Sequence, residues 1–273
     1  MDEAARRERA LDEILGPLGN VVVAYSGGVD SAYLTSRAHA VLGAACVAVT
    51  AVSPSLARRE RESASSLARR FGWNHLEVET HELQRAEYVR NAADRCFWCK
   101  TELFDVIAPL AKQRAAAIAV GTNTDDLGDH RPGLRASRER GVLAPLVEAG
   151  LDKATIRELS GRAGLPTAEK PASPCLASRL AYGVEVTPER LERVDAAEEC
   201  VRSLGFEVLR VRDHGELARI EVPTADIDAL LAHRAWLAAE LGRLGFRYVT
   251  VDLAGFRSGS LNESLLEPRF RTT

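Results

Sequence analysis

The stretch Asn20–Ser31, NVVVAYSGGVDS, runs from an apolar segment into a loop of small residues, and an apolar-periodic segment from Ala32 to Leu42 follows. A valine-rich run bounded by glycines predicts a buried strand, and the periodicity after the loop predicts a helix. The stretch therefore predicts a strand, a tight loop and a helix in direct succession, which is typical of α/β proteins.

The loop has the composition of a phosphate site. Gly27 and Gly28 lack the Cβ atoms that would hold a ligand away from the backbone. The N–H groups at the start of the helix point outward, where the helix dipole favours negative charge. Ser26 and Ser31 add hydroxyl groups, and Asp30 can cap the helix or orient a magnesium ion. We interpret the loop as a pyrophosphate cradle, and the simpler alternative is a turn with an aspartate cap.

No lysine follows the glycines, so the loop is not the P-loop of kinases and GTPases, which ends in Gly-Lys-Ser/Thr. Its SGGxDS pattern instead resembles the PP-loop of ATP pyrophosphatases, enzymes that split ATP into AMP and pyrophosphate. The resemblance implies that ATP activates a substrate oxygen as an adenylate, which a nitrogen or sulfur nucleophile then attacks. It indicates the type of reaction and leaves the substrate open.

The composition is that of an ordinary globular protein of 273 residues, enough for one medium α/β domain and a smaller one. The formal net charge of -3 argues against a general nucleic-acid binder, which usually carries an excess of basic residues. No apolar run reaches the length of a membrane span and the first residues lack a signal-peptide pattern, so we expect a cytoplasmic protein. Its five cysteines are then expected to be thiols, metal ligands or catalysts.

Apolar runs and helical patterns alternate in the first half of the chain, which predicts βαβ units and a mostly parallel sheet. The irregular stretch 164–183 is interpreted as a linker. The predicted domains are a PP-loop ATP pyrophosphatase (adenine nucleotide alpha hydrolase-like) α/β domain over 1–183 and a smaller α+β domain, for substrate binding or oligomerisation, over 184–273. The predicted strands are 21–24, 46–50, 75–78, 117–121, 142–145, 206–212, 216–222 and 246–252, and the predicted helices are 1–16, 29–42, 55–71, 81–92, 99–114, 152–163, 188–204 and 225–243.

Polar residues follow the predicted strand 117–121. Gly121 and Asn123, followed by Asp125 and Asp126, are expected at the sheet edge where the glycine loop also emerges. Acid and amide groups there can hold magnesium, ribose or a reacting carboxylate. The alternative is a capped loop with solvated carboxylates.

The cysteines divide by their surroundings in the sequence. Cys96 and Cys99 form a CxxC, which alone fits a redox pair, half a zinc site or two incidental thiols, and no second pair completes a zinc site. Cys175 lies in the irregular stretch, and three thiolates can hold three irons of a [4Fe–4S] cluster while the fourth stays open for a sulfide. Cys46 and Cys200 fall in apolar patterns and are predicted to be core residues.

A pair of arginines marks the second predicted domain. Arg210 and Arg212 are two residues apart on a predicted strand and share one face, as Arg219 and Glu221 do on the partner strand. Two guanidinium groups on one face suit a phosphate or a carboxylate. The alternative is a solvated sheet face with cross-strand ion pairs.

With these motifs, the chain resembles the LarE family over essentially its whole length; the matching segments are the PP-loop and residues 94–100, 129–133, 175–179, 211–212, 218–221 and 255–259. Members of this family are ATP-dependent sulfur-inserting enzymes of nickel-pincer cofactor synthesis. The resemblance implies ATP and Mg²⁺ as cofactors, pyridinium-3,5-biscarboxylic acid mononucleotide as a small-molecule substrate, and a homo-oligomer. Adenylation of a substrate carboxylate is followed by attack of sulfur, which leaves a thiocarboxylate.

The resemblance also implies roles for individual residues. Asp30 and Cys175 are expected to be catalytic, and Arg210 and Arg212 to meet the substrate phosphate. The expected ATP contacts are Ser26, Gly27, Gly28, Asp30, Ser31, Gly121 and Asn123, and the expected substrate contacts are Arg179, Glu198, Arg210, Arg212 and Glu221.

The sulfur source differs within the family. Sacrificial members attack with a cysteine, which aligns with Pro174 here, and keep dehydroalanine in its place. Other members carry a CxxC and a distant cysteine and are thought to bind a [4Fe–4S] cluster that passes on an added sulfide. Because this chain has Cys96, Cys99 and Cys175, we expect the cluster, with Cys175 as a sacrificial donor the main alternative.

Three other functions share parts of this pattern. A tRNA-thiolating PP-loop enzyme also uses a CxxC and a third cysteine, but it needs a basic surface that the sequence does not show. An amide synthetase of the NAD or GMP type would not need the cysteines. A nucleotide-sensing module would bind ATP without releasing pyrophosphate.

Overall fold

A computed structural model describes residues 2–128, 132–257 and 260–262, and the chain packs into two compact units. The first unit comprises Met1–Glu82 and Cys96–Ser173, and the second comprises Leu83–Arg95 and Pro174–Thr273. The division by packing thus falls between residues 173 and 174, ten residues before the predicted domain boundary, and the segment 83–95 joins the second unit. The functions predicted for the two domains stay predictions.

The first unit is built on a parallel four-stranded sheet with the strand order β3-β2-β1-β4. This is the predicted α/β architecture, and four of the predicted strands are confirmed with ends shifted by at most two residues. The strands are β1 Val21–Ala24, β2 Cys46–Val52, β3 His75–Glu79 and β4 Ala117–Val120. The helices of this part of the chain are α1 Glu3–Leu15, α2 Val29–Leu42, α3 Arg58–Arg70, α5 Arg95–Gln113, α6 Pro132–Glu139, α7 Pro145–Glu148 and α8 Lys153–Arg162, with α4 Ala86–Val89 in the second unit.

The central strands are buried on both faces, which explains their continuous apolar run. Val21 and Val23 face a core formed with α1, α2 and α8, whereas Val22 faces a second core that includes Phe104 and Ile107 of α5. Parallel strands require helical crossovers, and the alternation in the sequence supplies them. Within the described residues, none of the helices is long and apolar enough to cross a membrane.

Two of the predicted elements are wrong. Residues 142–145 form no strand; Leu143 makes one isolated parallel bridge with Ala119, and Pro145, which has no N–H to donate, begins α7. The predicted helix 81–92 is reduced to a 3₁₀ turn, Glu82–Gln84, and the four-residue α4. It ends there because Asn91 adopts a left-handed backbone conformation with φ 54°.

The second unit is the predicted small α+β structure. Its sheet has the order β5-β6-β7, formed by Arg210–Asp213, Leu217–Glu221 and Tyr248–Val251, with β5 antiparallel and β7 parallel to β6. Helix α9, Pro188–Ser203, begins with Thr187 as its N-cap and proline at the first position, as predicted. The predicted helix 225–243 is split at His233 into α10 Ile227–Ala232 and α11 Arg234–Arg243. Apolar residues of α9 to α11 cover one face of this sheet.

The close approach between β4 and α2 gives a testable prediction. A Cβ atom on Gly121 would lie 2.7 Å from the backbone nitrogen of Ser31, closer than real Cβ atoms approach. Gly121→Ala should therefore lower the free energy of unfolding by about 1–3 kcal/mol, measured by urea denaturation. Gly161→Ala, within α8 and with no heavy atom within 4 Å of the added methyl group, is the control and should raise it by about 0.5–1 kcal/mol. Equal stability of the two variants would contradict the packing described here.

Candidate active site

The glycine loop connects β1 to α2 and is closed by serine hydroxyl groups. Ser31 Oγ accepts a hydrogen bond from the backbone N–H of Ser26 (3.2 Å), donates to the carbonyl of Gly28 (3.1 Å) and lies 3.1 Å from Ser26 Oγ. Gly28 is the N-cap residue of α2, so the first amide groups of the helix open onto the loop. The residues predicted to form the cradle are therefore assembled locally, at a helix N-terminus that favours an anion.

Gly27 shows why the loop needs glycine. Its φ is +72°, a left-handed conformation that favours glycine, and a Cβ atom would lie 2.8 Å from Cβ of Ala64 in α3. The loop is anchored on the same side by Tyr25, whose hydroxyl group donates to the carbonyl of Ala64 (3.1 Å) and whose ring packs edge-on against Trp73. Burial raises the pKa of the Tyr25 hydroxyl group, so this anchor stays neutral.

Asp30 lies in the first turn of α2 and binds groups from two distant segments. Its Oδ1 accepts from Asn123 Nδ2 (3.2 Å), and its Oδ2 accepts from Lys153 Nζ (2.5 Å). Asn123 is buried and in turn accepts from the backbone N–H of Asp125 (2.9 Å). The structure thus brings the predicted segment after β4 to the glycine loop, as the shared edge of a parallel sheet requires.

Two lysines at the loop were missed by sequence reasoning. Lys153 reaches Asp30 from the first residue of α8. Lys170 donates to the carbonyl of Gly27 (3.1 Å) and to Glu60 of α3 (2.7 Å). Because a peptide plane is rigid, a carbonyl held by Lys170 directs the next N–H, that of Gly28, to the opposite side. No local pattern around either lysine indicates a loop more than 120 residues away.

Cys46 lies in the core as predicted, whereas Cys200, also predicted to be a core residue, is only half-buried. Cys46 is buried in the core, where desolvation raises its pKa to about 12, and burial also raises the pKa of Cys200 on α9. Cys96 is exposed and Cys99 is half-buried, one turn apart at the start of α5 in the first unit. Cys175, half-buried in the second unit, precedes a 3₁₀ turn at Leu176–Arg179. Among the described residues, no three His, Cys, Asp or Glu side chains lie close enough together to hold a metal ion.

Arg179 fixes the backbone around Cys175. Its guanidinium group forms two hydrogen bonds with Glu198 (3.0 and 3.2 Å), and both residues are almost fully buried. The same group donates to the carbonyls of Pro174 and Cys175. Burial opposes ionisation of Glu198, but the nearby arginine charges outweigh it and keep the pKa of this carboxyl group below its ordinary value. Arg179 is therefore a buried structural cation in addition to its expected role toward substrate.

A second buried ion pair lies on the sheet of this unit. Arg212 binds Glu221 through two nitrogens (3.0 and 2.8 Å), and Arg219 binds the other carboxylate oxygen (2.9 Å). Arg210 lies opposite Glu221 in the strand register. Arg210, Arg212 and Glu221 are each at most 8% exposed, so the face is not solvated, although the cross-strand ion pair of the alternative does form between Arg212 and Glu221.

Arg210 is buried, and its guanidinium group donates to the carbonyl of Leu209 (2.7 Å). Desolvation first, and then repulsion from Arg179, lower its pKa to about 10, although Glu198 favours the charged form. Its guanidinium carbon lies 5.2 Å from the centre of the Phe256 ring. A buried arginine of this kind is stabilised by a bound anion.

Sequence analysis also missed the structural role of Asn91 and Arg95, which precede the CxxC. Asn91 donates to the carbonyls of Ala181 (2.8 Å) and Val184 (2.7 Å), and Arg95 donates to that of Ala177 (2.8 Å). These bonds order the stretch 177–184 that sequence analysis interpreted as an irregular linker. Asn91 is the one signal available in sequence, because asparagine tolerates a left-handed backbone better than most residues. Residues 129–131 and 258–259, parts of two family motifs, lie outside the described residues.

Comparison with known proteins gives full-length relatives, although no family model matches the chain. An uncharacterized protein of Synechocystis sp. is 43% identical over 258 residues, 93% of this chain and 96% of that protein. An uncharacterized protein of Methanocaldococcus jannaschii is 26% identical over 239 residues, 87% of this chain and 91% of that protein. The pyridinium-3,5-bisthiocarboxylic acid mononucleotide synthase of Lactiplantibacillus plantarum is 37% identical over 274 residues, 100% of this chain and 99% of that protein. A likeness of this extent, on a chain that holds the PP-loop at a helix N-terminus, shows that it belongs to the LarE family.

Proposed function

We propose that the chain is an ATP-dependent, AMP- and pyrophosphate-forming sulfurtransferase that acts on pyridinium-3,5-biscarboxylic acid mononucleotide. ATP adenylates one carboxylate of this substrate, and sulfur then replaces AMP to give a thiocarboxylate. The observation that carries the proposal is the 37% sequence identity, over the full chain, to the pyridinium-3,5-bisthiocarboxylic acid mononucleotide synthase of Lactiplantibacillus plantarum. The glycine loop supports the adenylation by ATP, and the buried arginines support the binding of an anionic substrate.

The glycine loop supports the adenylation half. The serine-closed loop at the start of α2 offers backbone N–H groups to the phosphates of ATP. Asp30 suits Mg²⁺, because this ion uses one or two carboxylates together with substrate phosphates, and the Asp30 side chain keeps 22% of its surface exposed. Bound there, Mg²⁺ would neutralise phosphate charge, while Asn123 holds the Asp30 carboxylate in position.

The second unit supports recognition of an anionic substrate. Three buried guanidinium groups lie around β5 and β6, those of Arg179, Arg210 and Arg212, together with the buried carboxylates of Glu198, Asp213 and Glu221. Burial and the charge of Arg179 lower the pKa of Arg210, and a bound phosphate or carboxylate would favour its charged form. The mononucleotide substrate carries both kinds of group.

The reaction balances without an external oxidant. A carboxylate oxygen of the substrate bonds to the α-phosphorus of ATP, and pyrophosphate leaves with the electrons of the broken bond. A sulfur nucleophile then attacks the acyl carbon, and AMP leaves. If Cys175 is that nucleophile, loss of its Cα proton cleaves the Cβ–Sγ bond, so the product keeps the sulfur and the protein keeps dehydroalanine.

For the sulfur source we propose a [4Fe–4S] cluster on Cys96, Cys99 and Cys175, with sacrifice of Cys175 as the alternative. Two thiols near the N-terminus of a helix, Cys96 in the first turn of α5 and Cys99 one turn later, have a setting that lowers thiol pKa values in general and favours iron binding. A cluster with one open iron would supply an added sulfide as nucleophile. The described residues contain no assembled group of three such ligands, so the proposal depends on the identity of the donor atoms alone.

The family resemblance further leads us to propose a cytoplasmic homo-oligomer without a nucleic-acid partner. The formal net charge of -3 supports the last point. Light scattering on the purified protein measures the oligomeric state, and a salt-dependent shift on added tRNA would instead support a tRNA-thiolating enzyme.

Replacement of Asp30 tests the adenylation half. Asp30→Ala removes the carboxylate at the loop and should abolish pyrophosphate release in the presence of ATP, Mg²⁺ and the mononucleotide, measured with a coupled phosphate assay. Asp228→Ala, an exposed carboxylate on α10, is the control and should keep wild-type activity. Unchanged pyrophosphate release by Asp30→Ala would refute the assigned role.

Intact mass and iron content test the sulfur source. Anaerobically purified protein should contain iron with a cluster absorption band, and its mass should be unchanged after turnover. Cys175→Ala should lose product formation under either sulfur hypothesis. Cys200→Ala replaces a half-buried thiol at the apolar core of the second unit and should keep product formation. A mass loss of one hydrogen sulfide after turnover would exclude the cluster, and full activity of Cys175→Ala would exclude both.

A further inference from the structure

Lys153 is a rigidly placed cation at the glycine loop. It is the first residue of α8, whose N-cap Asp152 accepts from the backbone N–H of Thr155 (2.7 Å). The backbone N–H of Lys153 itself donates to Asp125 Oδ2 (3.0 Å), which ties the start of α8 to the segment after β4. The position of Lys153 relative to α2 is therefore set by fixed backbone and leaves only its side chain free to move.

The side chain of Lys153 is directed at the part of the loop where phosphates are expected. Its Nζ lies 2.5 Å from Asp30 Oδ2, in the first turn of α2, and the side chain keeps 35% of its surface exposed. A partly exposed ion pair contributes little to stability, on the order of 0–1 kcal/mol. Stability alone therefore does not explain why Lys153 is placed beside Asp30. The ammonium group is accessible to a ligand that enters the loop.

The loop itself lacks a full positive charge. No lysine or arginine occurs between Ser26 and Ser31, and a helix N-terminus supplies only the equivalent of about +0.5 charge. The triphosphate of ATP carries several negative charges, and the charge on the leaving pyrophosphate increases as its bond to the α-phosphorus breaks. In P-loop proteins a lysine within the loop meets this charge. Here Lys153, a comparable group, comes from another helix.

Lys170, the other lysine at the loop, is engaged differently. Its ammonium group is shared between the carbonyl of Gly27 and the carboxylate of Glu60, on the side of α3. It holds the loop backbone, whereas Lys153 contacts the carboxylate that we assign to the metal ion. A magnesium ion on Asp30 Oδ2 would compete with Lys153 for that oxygen, so binding of the metal–nucleotide would weaken the ion pair and release the ammonium group toward the phosphates.

We propose that Lys153 is a catalytic residue that moves from Asp30 to the phosphates of ATP and stabilises the leaving pyrophosphate. This inference rests on the proposed adenylation. The carboxylate oxygen of the substrate bonds to the α-phosphorus, the bond to the β-phosphate oxygen breaks, and its electron pair leaves with pyrophosphate. The ammonium group balances that charge by contact and transfers no proton.

Lys153→Met and Lys153→Arg test this role, with Lys112→Met, an exposed lysine in the last turn of α5, as the control. In single-turnover pyrophosphate release with ATP, Mg²⁺ and the mononucleotide, Lys153→Met should be slower by about 10²–10³-fold, the usual effect of removing one group that stabilises transition-state charge. Lys153→Arg keeps a charge at this place and should recover part of the rate. Lys112→Met should match the wild type.

Binding of α,β-methylene-ATP, measured by calorimetry over a range of Mg²⁺ concentrations, gives a readout apart from activity. Loss of the competing ammonium group should lower the Mg²⁺ concentration at which Lys153→Met reaches half-saturation, while affinity at saturating Mg²⁺ falls by roughly tenfold or less. A Lys153→Met rate within threefold of wild type, with unaltered melting temperature, would overturn the inference. If the wild type binds the analogue but releases no pyrophosphate with the mononucleotide, the proposed function fails instead.

Discussion

The close approach between the end of β4 and the first turn of α2 is the constraint on which the first unit depends. The backbone of Gly121 passes so near to Ser31 that no side chain fits between them. This contact places the polar segment after β4 beside the glycine loop, and Asn123 then reaches Asp30. It is possible because β1 lies between β2 and β4 in a parallel sheet, so all three strands end at the same edge.

The second unit depends on a different interaction, the pairing of buried arginines with buried glutamates. Removing such ions from water costs several kcal/mol each, and the pairing offsets this cost only where the geometry is good and other hydrogen bonds complete it. Arg179 with Glu198 and Arg212 with Glu221 meet that condition through two hydrogen bonds each. Arg210 is buried beside them, and desolvation together with the charge of Arg179 lowers its pKa.

The two halves of the proposed reaction therefore use positive charge in different ways. The loop relies on backbone dipoles and on lysines brought from other segments, which suits a phosphate group that must leave. The second unit relies on arginines fixed by carboxylates, which suits a ligand held throughout the reaction. Among the five cysteines, Cys46 is buried, Cys96 is exposed, and Cys99, Cys175 and Cys200 are half-buried.

The sequence by itself determined the elements whose signals are local. Strand β1, the glycine loop and α2 follow from the hydrophobic pattern and from the need for glycine where φ is positive, and the start of α9 follows from Thr187 and Pro188. It could not determine that 142–145 forms only a single bridge, nor that Asn91 ends the helix predicted at 81–92, because partners distant in the chain decide these outcomes. Only the tertiary structure decided that Lys153 and Lys170 contact a loop more than 120 residues away and that the arginine-bearing sheet face is buried. The reason is physical: a salt bridge between distant segments leaves no periodicity in the sequence, whereas a strand, a turn and a helix each do.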